Sequence, residues 1–323
     1  MTLLAVEDLR IDLTGGEKRH VAVDQVSFTI ARGETFGLVG ESGCGKSITA
    51  LAIMGLLQRP LAIGGGAIRF DGRAIQDLDH NALQRLRGKR IAMIFQEPMT
   101  ALNPLLPVGR QIAEMFVLHE GASWREAERR AIDVLARVRV PAPEMRARDY
   151  PHQLSGGMRQ RVMIAIALAC SPDLLIADEP TTALDVTVQS EIVDLMRELC
   201  AANGTAILMI SHDLGLVASI CRSVGVMYAG RLVEMRSSTD IFKAPAHPYT
   251  RGLVASLPRL GSRAAVGQRR LQEISGVVPS IADFSSACRF NPRCDRATEV
   301  CRTDDPAITT LAGGGFVRCH HHG

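Results

Sequence analysis

Residues 40–47 read GESGCGKS, and glycines at Gly40, Gly43 and Gly45 ahead of Lys46 and Ser47 are chemistry suited to a polyphosphate. Bare backbone lets several N–H groups converge on phosphate oxygens at a helix N-terminus, where the helix dipole favours anions. Lys46 brings a point charge to the β and γ phosphates, and the Ser47 hydroxyl is a ligand suited to Mg²⁺. Gly40, Glu41, Ser42, Gly43, Cys44, Gly45, Lys46, Ser47 and the following Ile48 therefore form the candidate cradle for ATP with Mg²⁺. A chance glycine-rich turn is the competing reading, and the strand expected before the loop and the helix expected after it weigh against that.

A second constellation lies downstream. The apolar run Leu174–Ile176 leads through Ala177 into Asp178 and Glu179, at the C-terminal end of a buried strand where ligands of open α/β sheets gather. Neighbours on a strand point apart, so Asp178 is expected to face the Mg²⁺ held by Ser47 while Glu179 acts as general base on the attacking water. Ser211, His212 and Asp213 follow the next apolar strand, which lets His212 sense the γ-phosphate by a hydrogen bond. Alone, an Asp-Glu pair is usually a solvated turn and a single histidine a surface group; beside the phosphate loop the functional reading is favoured.

The elements that must position these groups are legible as short apolar segments. Leu3 to Ile30 reads as strands with a turn at Gly15 and Gly16, making an N-terminal antiparallel β layer. Thr35–Val39 is a strand and 48–57 a buried helix. After a strand at 91–95, Pro98, Pro104 and Pro107 interrupt the chain, and helices are expected at 108–119 and 123–138. Ser123 and Glu126 form the capping box of the second, and Pro141 and Pro143 end it. Strands at 174–177 and 206–210 flank a helix at 188–199, so the middle is α/β. From about Lys243 prolines and a basic, linker-like stretch at 259–270 appear, which places a boundary near residue 250.

Composition excludes several alternatives. With 46% hydrophobic and 22% charged residues, the 323-residue chain is that of a packed globular protein. A net charge of +3 from 37 basic and 34 acidic residues leaves no nucleic-acid footprint. The longest apolar run, Val162 to Cys170, falls far short of the roughly 20 residues that span a bilayer. The first ten residues mix Glu7, Asp8 and Arg10 among aliphatics and lack a signal peptide's apolar core, so a cytosolic location is expected. Cys288, Cys294, Cys301 and Cys319 crowd the C-terminal end, and in a reducing compartment that crowding points to metal before disulfide. Four thiolates at this spacing suit either a [4Fe–4S] cluster or tetrahedral Zn²⁺, with free cysteines in a tail as the bland alternative.

LSGGM at 154–158, between GESGCGKS upstream and LLIADEP downstream, carries a family resemblance. Over roughly residues 3–250 the chain resembles ABC transporter nucleotide-binding subunits, which implies a P-loop NTPase fold with a RecA-like core, an N-terminal antiparallel β subdomain and a helical subdomain at about 97–165. The resemblance implies that Gln96 in IFQEP links Mg²⁺ and water to a transmembrane partner, and that Ala183, Leu184 and Asp185 are the D-loop. Such subunits work as head-to-tail pairs, so Ser155, Gly156 and Gly157 would clamp the γ-phosphate held by a second ATPase subunit. Met158 stands where the general pattern has Gln, a change similar to the peptide-transporter branch. The aromatic that stacks on adenine in that family has no Phe, Tyr or Trp counterpart before Phe28, leaving His20 or an aliphatic neighbour.

HPYTRGLVASLP at 247–258 and CRFNPRC at 288–294 resemble the tail of dipeptide and oligopeptide transporter ATPases, so residues 251–323 are expected to be a Cys-rich extension of that type. The resemblance favours the iron–sulfur cluster over zinc. It implies a peripheral protein on the cytoplasmic face of the inner membrane, partnered by a different ATPase chain, two transmembrane permease subunits and, indirectly, an extracytoplasmic peptide-binding protein. Nickel or antimicrobial peptides are the alternative cargo. A soluble ABC protein of translation or DNA repair is a poorer fit, because those usually carry two cassettes or a long coiled-coil insert.

Overall fold

Continuous apolar runs become strands buried on both faces, and amphipathic runs become the helices that cover them. The computed structural model describes residues 1–15, 19–182, 184–257 and 274–322. The chain forms two compact units, one of Met1–Leu3, Ile30–Glu34 and Asp71–Met209, the other of Leu4–Thr29, Thr35–Phe70 and Ile210–Gly323.

In the first unit, strands Ile91–Ile94 and Leu174–Asp178 pair in parallel with Ile91 opposite Leu174 and Ile94 opposite Ala177, and Ala206–Ser211 lies on the far side of the middle strand. Leu174, Leu175, Ile176 and Ala177 are each fully buried, which is why this run has no polar alternation. Helices Val108–Glu120, Trp124–Arg137, Gly156–Leu168 and Val186–Asn203 carry the rest of the core. Trp124–Arg137 buries Ala127, Ala131, Val134 and Leu135, one stripe at helical spacing, and Ser123 caps it by accepting from the Glu126 N–H at 3.4 Å. Pro143 does not merely stop that helix; it opens a short one, Pro143–Arg146, because its fixed φ suits a first turn. Arg32 and Arg90 each pair with both Asp71 and Asp173 at 2.6–3.2 Å, tying three separate segments of this unit together.

The second unit holds an N-terminal sheet in the order His20–Ala31, Thr2–Leu13, Leu61–Phe70, the last two antiparallel with Leu4 opposite Phe70 and Leu13 opposite Leu61. The strand Leu61–Phe70 escapes sequence reading because Gly64, Gly65 and Gly66 look like a break. Here the register shifts between Glu7 and Arg10, and Gly66, at φ +77°, sits against that irregularity with the Glu7 and Asp8 carbonyls beside it. Gly16 of the expected turn lies outside the described residues.

A second sheet of this unit runs Ile308–Thr310, Phe316–Arg318, Arg231–Ser237, Ser223–Tyr228, Thr35–Val39. Thr35–Val39 and Ser223–Tyr228 are parallel, and the remaining pairs are antiparallel. Two strands of the C-terminal extension thus lengthen the sheet that launches the phosphate loop. The basic stretch 259–270 lies outside the described residues. Among the described residues no helix is long and apolar enough to cross a membrane.

Ile176, fully buried in its strand, tests this core: Ile176→Ala is expected to cost about 2–5 kcal/mol of stability, read as a lowered midpoint in chemical denaturation.

Candidate active site

The chain leaves strand Thr35–Val39 directly into residues 40–45 and then helix Lys46–Ile53. A side chain at Gly40 would put its Cβ 2.1 Å from the Met227 carbonyl oxygen and 2.7 Å from Cys44 Sγ. Gly40 is therefore required by packing against strand Ser223–Tyr228, which corrects the expectation that all three glycines answer to the ligand. Gly43 is different: at φ +80° a Cβ there would meet nothing within 4 Å, so its bareness leaves open the side from which a phosphate approaches.

Lys46 is 4% exposed, and its Nζ donates to the carbonyls of Gly40 at 2.7 Å and Glu41 at 3.0 Å. The ammonium is threaded through the loop's own ring of acceptors, where phosphate oxygens would offer charged acceptors in place of neutral ones. Burial pushes the Cys44 thiol above its ordinary range, so it packs as a neutral group. Ser42 and Gly43 are exposed and Ser47 and Ile48 half-buried, which sets Ser47 on the helix's first turn with access to solvent. Behind the loop, the Glu41 N–H donates to Tyr249 Oη at 2.9 Å and the Glu41 carboxylate accepts from both terminal nitrogens of Arg293 at 2.6 and 3.0 Å. Neither partner was anticipated from sequence: HPYTRG and CRFNPRC carried the resemblance to peptide-transporter ATPases, with no role for Tyr249 or Arg293.

His212 follows strand Ala206–Ser211 and is exposed. Asp213 donates its N–H to Ser211 Oγ at 3.0 Å and caps helix Leu214–Ile220 by accepting from Leu216 N–H at 3.0 Å. The flanking residues hold the turn, and the imidazole is left at the surface. His20, the candidate for stacking on adenine, is half-buried at the start of its strand.

In the first unit Asp178 ends its strand at 5% exposure, and Glu179 follows in the left-handed region at φ +47°. The two carboxylates part at this turn and not through strand alternation, which corrects the reason given for their different directions. A glutamate in that region is strained, and such strain concentrates at functional sites. Gln96 Nε2 donates to Glu179 Oε2 at 3.2 Å, and Thr182 Oγ1 donates to the same oxygen at 3.0 Å. Gln96 and Glu179 are thus brought together by contact, and Thr182 joins them although nothing in its position marked it.

Leu154 is buried, whereas Ser155 and Gly156 are exposed at the start of helix Gly156–Leu168. Ser155 Oγ accepts from the Met158 N–H at 3.3 Å. A Cβ on Gly157 would stand 3.3 Å from Val188 Cγ1, so glycine lets this helix approach Val186–Asn203 closely. Asp185 is exposed at the start of that second helix; Ala183 lies outside the described residues.

The four C-terminal cysteines line one pocket together with His247 and Phe290, and all four are free thiols. Burial pushes Cys288 up to about 11 and also raises Cys294 and Cys319. Burial lowers His247 to about 3, so its ring is neutral and Nδ1 accepts the Tyr249 N–H at 3.0 Å. Among the described residues no three His, Cys, Asp or Glu side chains are gathered to hold a metal ion. Four thiols converging on one pocket are donor chemistry that either an iron–sulfur cluster or a zinc ion uses.

Comparison with known proteins places this geometry. The family description "ABC transporter" matches residues 23–182, and "Oligopeptide/dipeptide transporter, C-terminal region" matches residues 233–301. The chain is 46% identical over 321 residues to a dipeptide transport ATP-binding protein of Escherichia coli, covering 99% of this chain and 97% of that one. It is 46% identical over 322 residues to an oligopeptide transport ATP-binding protein of Bacillus subtilis, covering 98% and 96%. Among solved structures, a dimeric ATP-binding cassette in a post-hydrolysis state bound to ADP and Pi matches with a TM-score of 0.66 and 28% identity, over 73% of this chain and 99% of that one.

The two glycines separate by experiment. Gly40→Ala is expected to lower the melting temperature without nucleotide, because the loop must leave its neighbouring strand, whereas Gly43→Ala should cost less stability and act mainly on the stabilisation conferred by Mg·ATP. Thermal melts with and without nucleotide check this, and equal losses from both variants would contradict it.

Proposed function

Because this chain belongs to the ABC transporter family and carries the C-terminal region of its oligopeptide and dipeptide transporters, we propose that it is the ATP-hydrolysing subunit of a peptide importer. The observation that carries the reading is the phosphate loop itself: Lys46 buried on the carbonyls of Gly40 and Glu41, between strand Thr35–Val39 and helix Lys46–Ile53. A buried ammonium beneath a loop whose tip, Ser42 and Gly43, is exposed suits a polyphosphate.

In this reading Gly40, Glu41, Ser42, Gly43, Cys44, Gly45, Lys46, Ser47 and Ile48 form the cradle, in which backbone N–H groups and Lys46 bind the triphosphate. Magnesium, when bound, would supply charge neutralisation to the phosphates; Ser47 on the first turn after the loop is the residue that would hold it, and the family resemblance carries Asp178 and Gln96 as further candidates. Glu179 orients and deprotonates the attacking water, and His212 hydrogen-bonds the γ-phosphate. Gln96 and Thr182 hold one oxygen of Glu179 and so fix the direction of the carboxylate. Exposed Ser155, Gly156 and Asp185, with half-buried Gly157, would meet the ATP of a second ATPase subunit, where a helix N-terminus faces an anion. Closure of that pair, stabilised by bound ATP, is the event that moves membrane-spanning partners, and hydrolysis ends it. The location that follows is the cytoplasmic face of the membrane, beside permease subunits that receive peptide from an external binding protein.

For the cysteine pocket we favour a [4Fe–4S] cluster held by Cys288, Cys294, Cys301 and Cys319. Four free thiols on one pocket support a metal-binding role, and the resemblance of CRFNPRC to peptide-transporter ATPase tails favours the cluster over zinc. Iron, labile sulfide and zinc should be measured on chain purified without oxygen. About four iron and four sulfide per chain are expected, and stoichiometric zinc without iron would overturn the choice.

The enzymatic reading is tested in the complex with its permease partners. Glu179→Gln is expected to abolish peptide-stimulated phosphate release while nucleotide binding survives; near-normal turnover would remove Glu179 from its role. Lys46→Ala is expected to weaken ATP binding itself, measured by calorimetry, since it removes a phosphate contact and not only chemistry.

A further inference from the structure

The phosphate loop is gripped from behind by the C-terminal extension. Glu41, its second residue, is held twice: its N–H donates to Tyr249 Oη at 2.9 Å, and its carboxylate takes a two-pronged contact from Arg293 at 2.6 and 3.0 Å. The Arg293 side chain is only 5% exposed. Its Nε–H donates to the Ser275 carbonyl at 2.8 Å and Nη2 to the Ile274 carbonyl at 3.2 Å, so the guanidinium is oriented by the extension independently of the loop. Tyr249 is fully buried, with its ring 4.8 Å from that of Tyr228 and 5.5 Å from that of Phe290. Phe290 in turn lines the cysteine pocket, and Arg293 immediately precedes Cys294. All of these residues belong to one compact unit.

Two physical consequences follow. A peptide N–H turned back to a tyrosine is one that does not point at the ligand, and fixing it fixes the plane from which the next amides of the loop are presented. The Glu41 carboxylate is an anion inside an anion-binding loop, and a buried arginine beside it removes a repulsion the triphosphate would otherwise meet. Both effects act on binding and neither touches the reacting atoms.

We propose that Arg293 and Tyr249 are positioning residues for the nucleotide, so that the Cys-rich extension is a structural part of the ATP site. This rests on the phosphate loop binding ATP as read above.

The test is Mg·ATP affinity of the full chain by calorimetry, with steady-state kinetics in the assembled transporter. Arg293→Ala is expected to weaken binding roughly tenfold, as loss of a buried charge-assisted pair does. Arg293→Lys should recover part of this, because the charge stays while the fork is lost. Tyr249→Phe keeps the ring packing and should weaken binding by a smaller factor. KM should rise with kcat little changed, since Gln96 and Glu179 are untouched; a general folding defect would lower kcat through the active fraction and leave KM alone. Adding Glu41→Gln to Arg293→Ala should recover part of the loss, because the unpaired carboxylate that repels the triphosphate is gone, the signature of two residues acting through one contact. Unchanged affinity in folded Arg293→Ala, or fully additive losses, would overturn the proposal. Should Arg293→Ala not fold, Arg293→Lys and Tyr249→Phe decide it, and unchanged affinity in both overturns it. Equal binding by the unmutated chain and Lys46→Ala would instead overturn the reading of the loop.

Discussion

A loop that is to grip an anion with its backbone must have its own polar groups satisfied from the inside, and here Lys46 does that work. Its ammonium sits on the carbonyls of Gly40 and Glu41, which holds the turn between strand and helix in shape while the exposed face at Ser42 and Gly43 stays bare. The same cation is then available to a polyphosphate, because exchanging neutral carbonyls for charged oxygens is favourable in a poorly solvated site. Everything around the loop serves this arrangement. The Met227 carbonyl excludes any side chain at Gly40, and the Gly230 N–H holds the Cys44 carbonyl at 2.9 Å.

The hydrolytic side is built on a different principle. Glu179 is aimed by two neutral donors, Gln96 and Thr182, converging on one oxygen. The left-handed backbone at Glu179 has a conformational cost, and the turn it creates separates this carboxylate from Asp178, allowing adjacent residues to take different tasks.

The C-terminal extension is tied in by charge as well as by strands. Asp24 accepts from Arg231 at 2.7 Å and from Arg289 at 2.9 Å, and Arg289 follows Cys288 in the chain. Burial lowers Arg289 to about 10, a sign of how far its guanidinium is withdrawn from water. A pair this buried contributes less to stability than to specificity of docking, since desolvation offsets much of the attraction.

The sequence by itself determined the family: GESGCGKS, LSGGM and LLIADEP together carry the likeness to ABC ATPases, and the spacing within GESGCGKS suits a phosphate cradle because that motif acts through local backbone geometry. Apolar runs likewise placed Thr35–Val39, Ile91–Ile94 and Leu174–Asp178, where burial on both faces leaves a plain signature. Contacts between residues far apart in the chain were invisible. The strand Leu61–Phe70 hid behind three glycines that a register shift accommodates, and Glu41 gave no sign of meeting residues 208 and 252 positions away. Only tertiary structure decides such pairings, because a side chain's charge and shape say that it needs a partner while the course of the backbone chooses which one it meets.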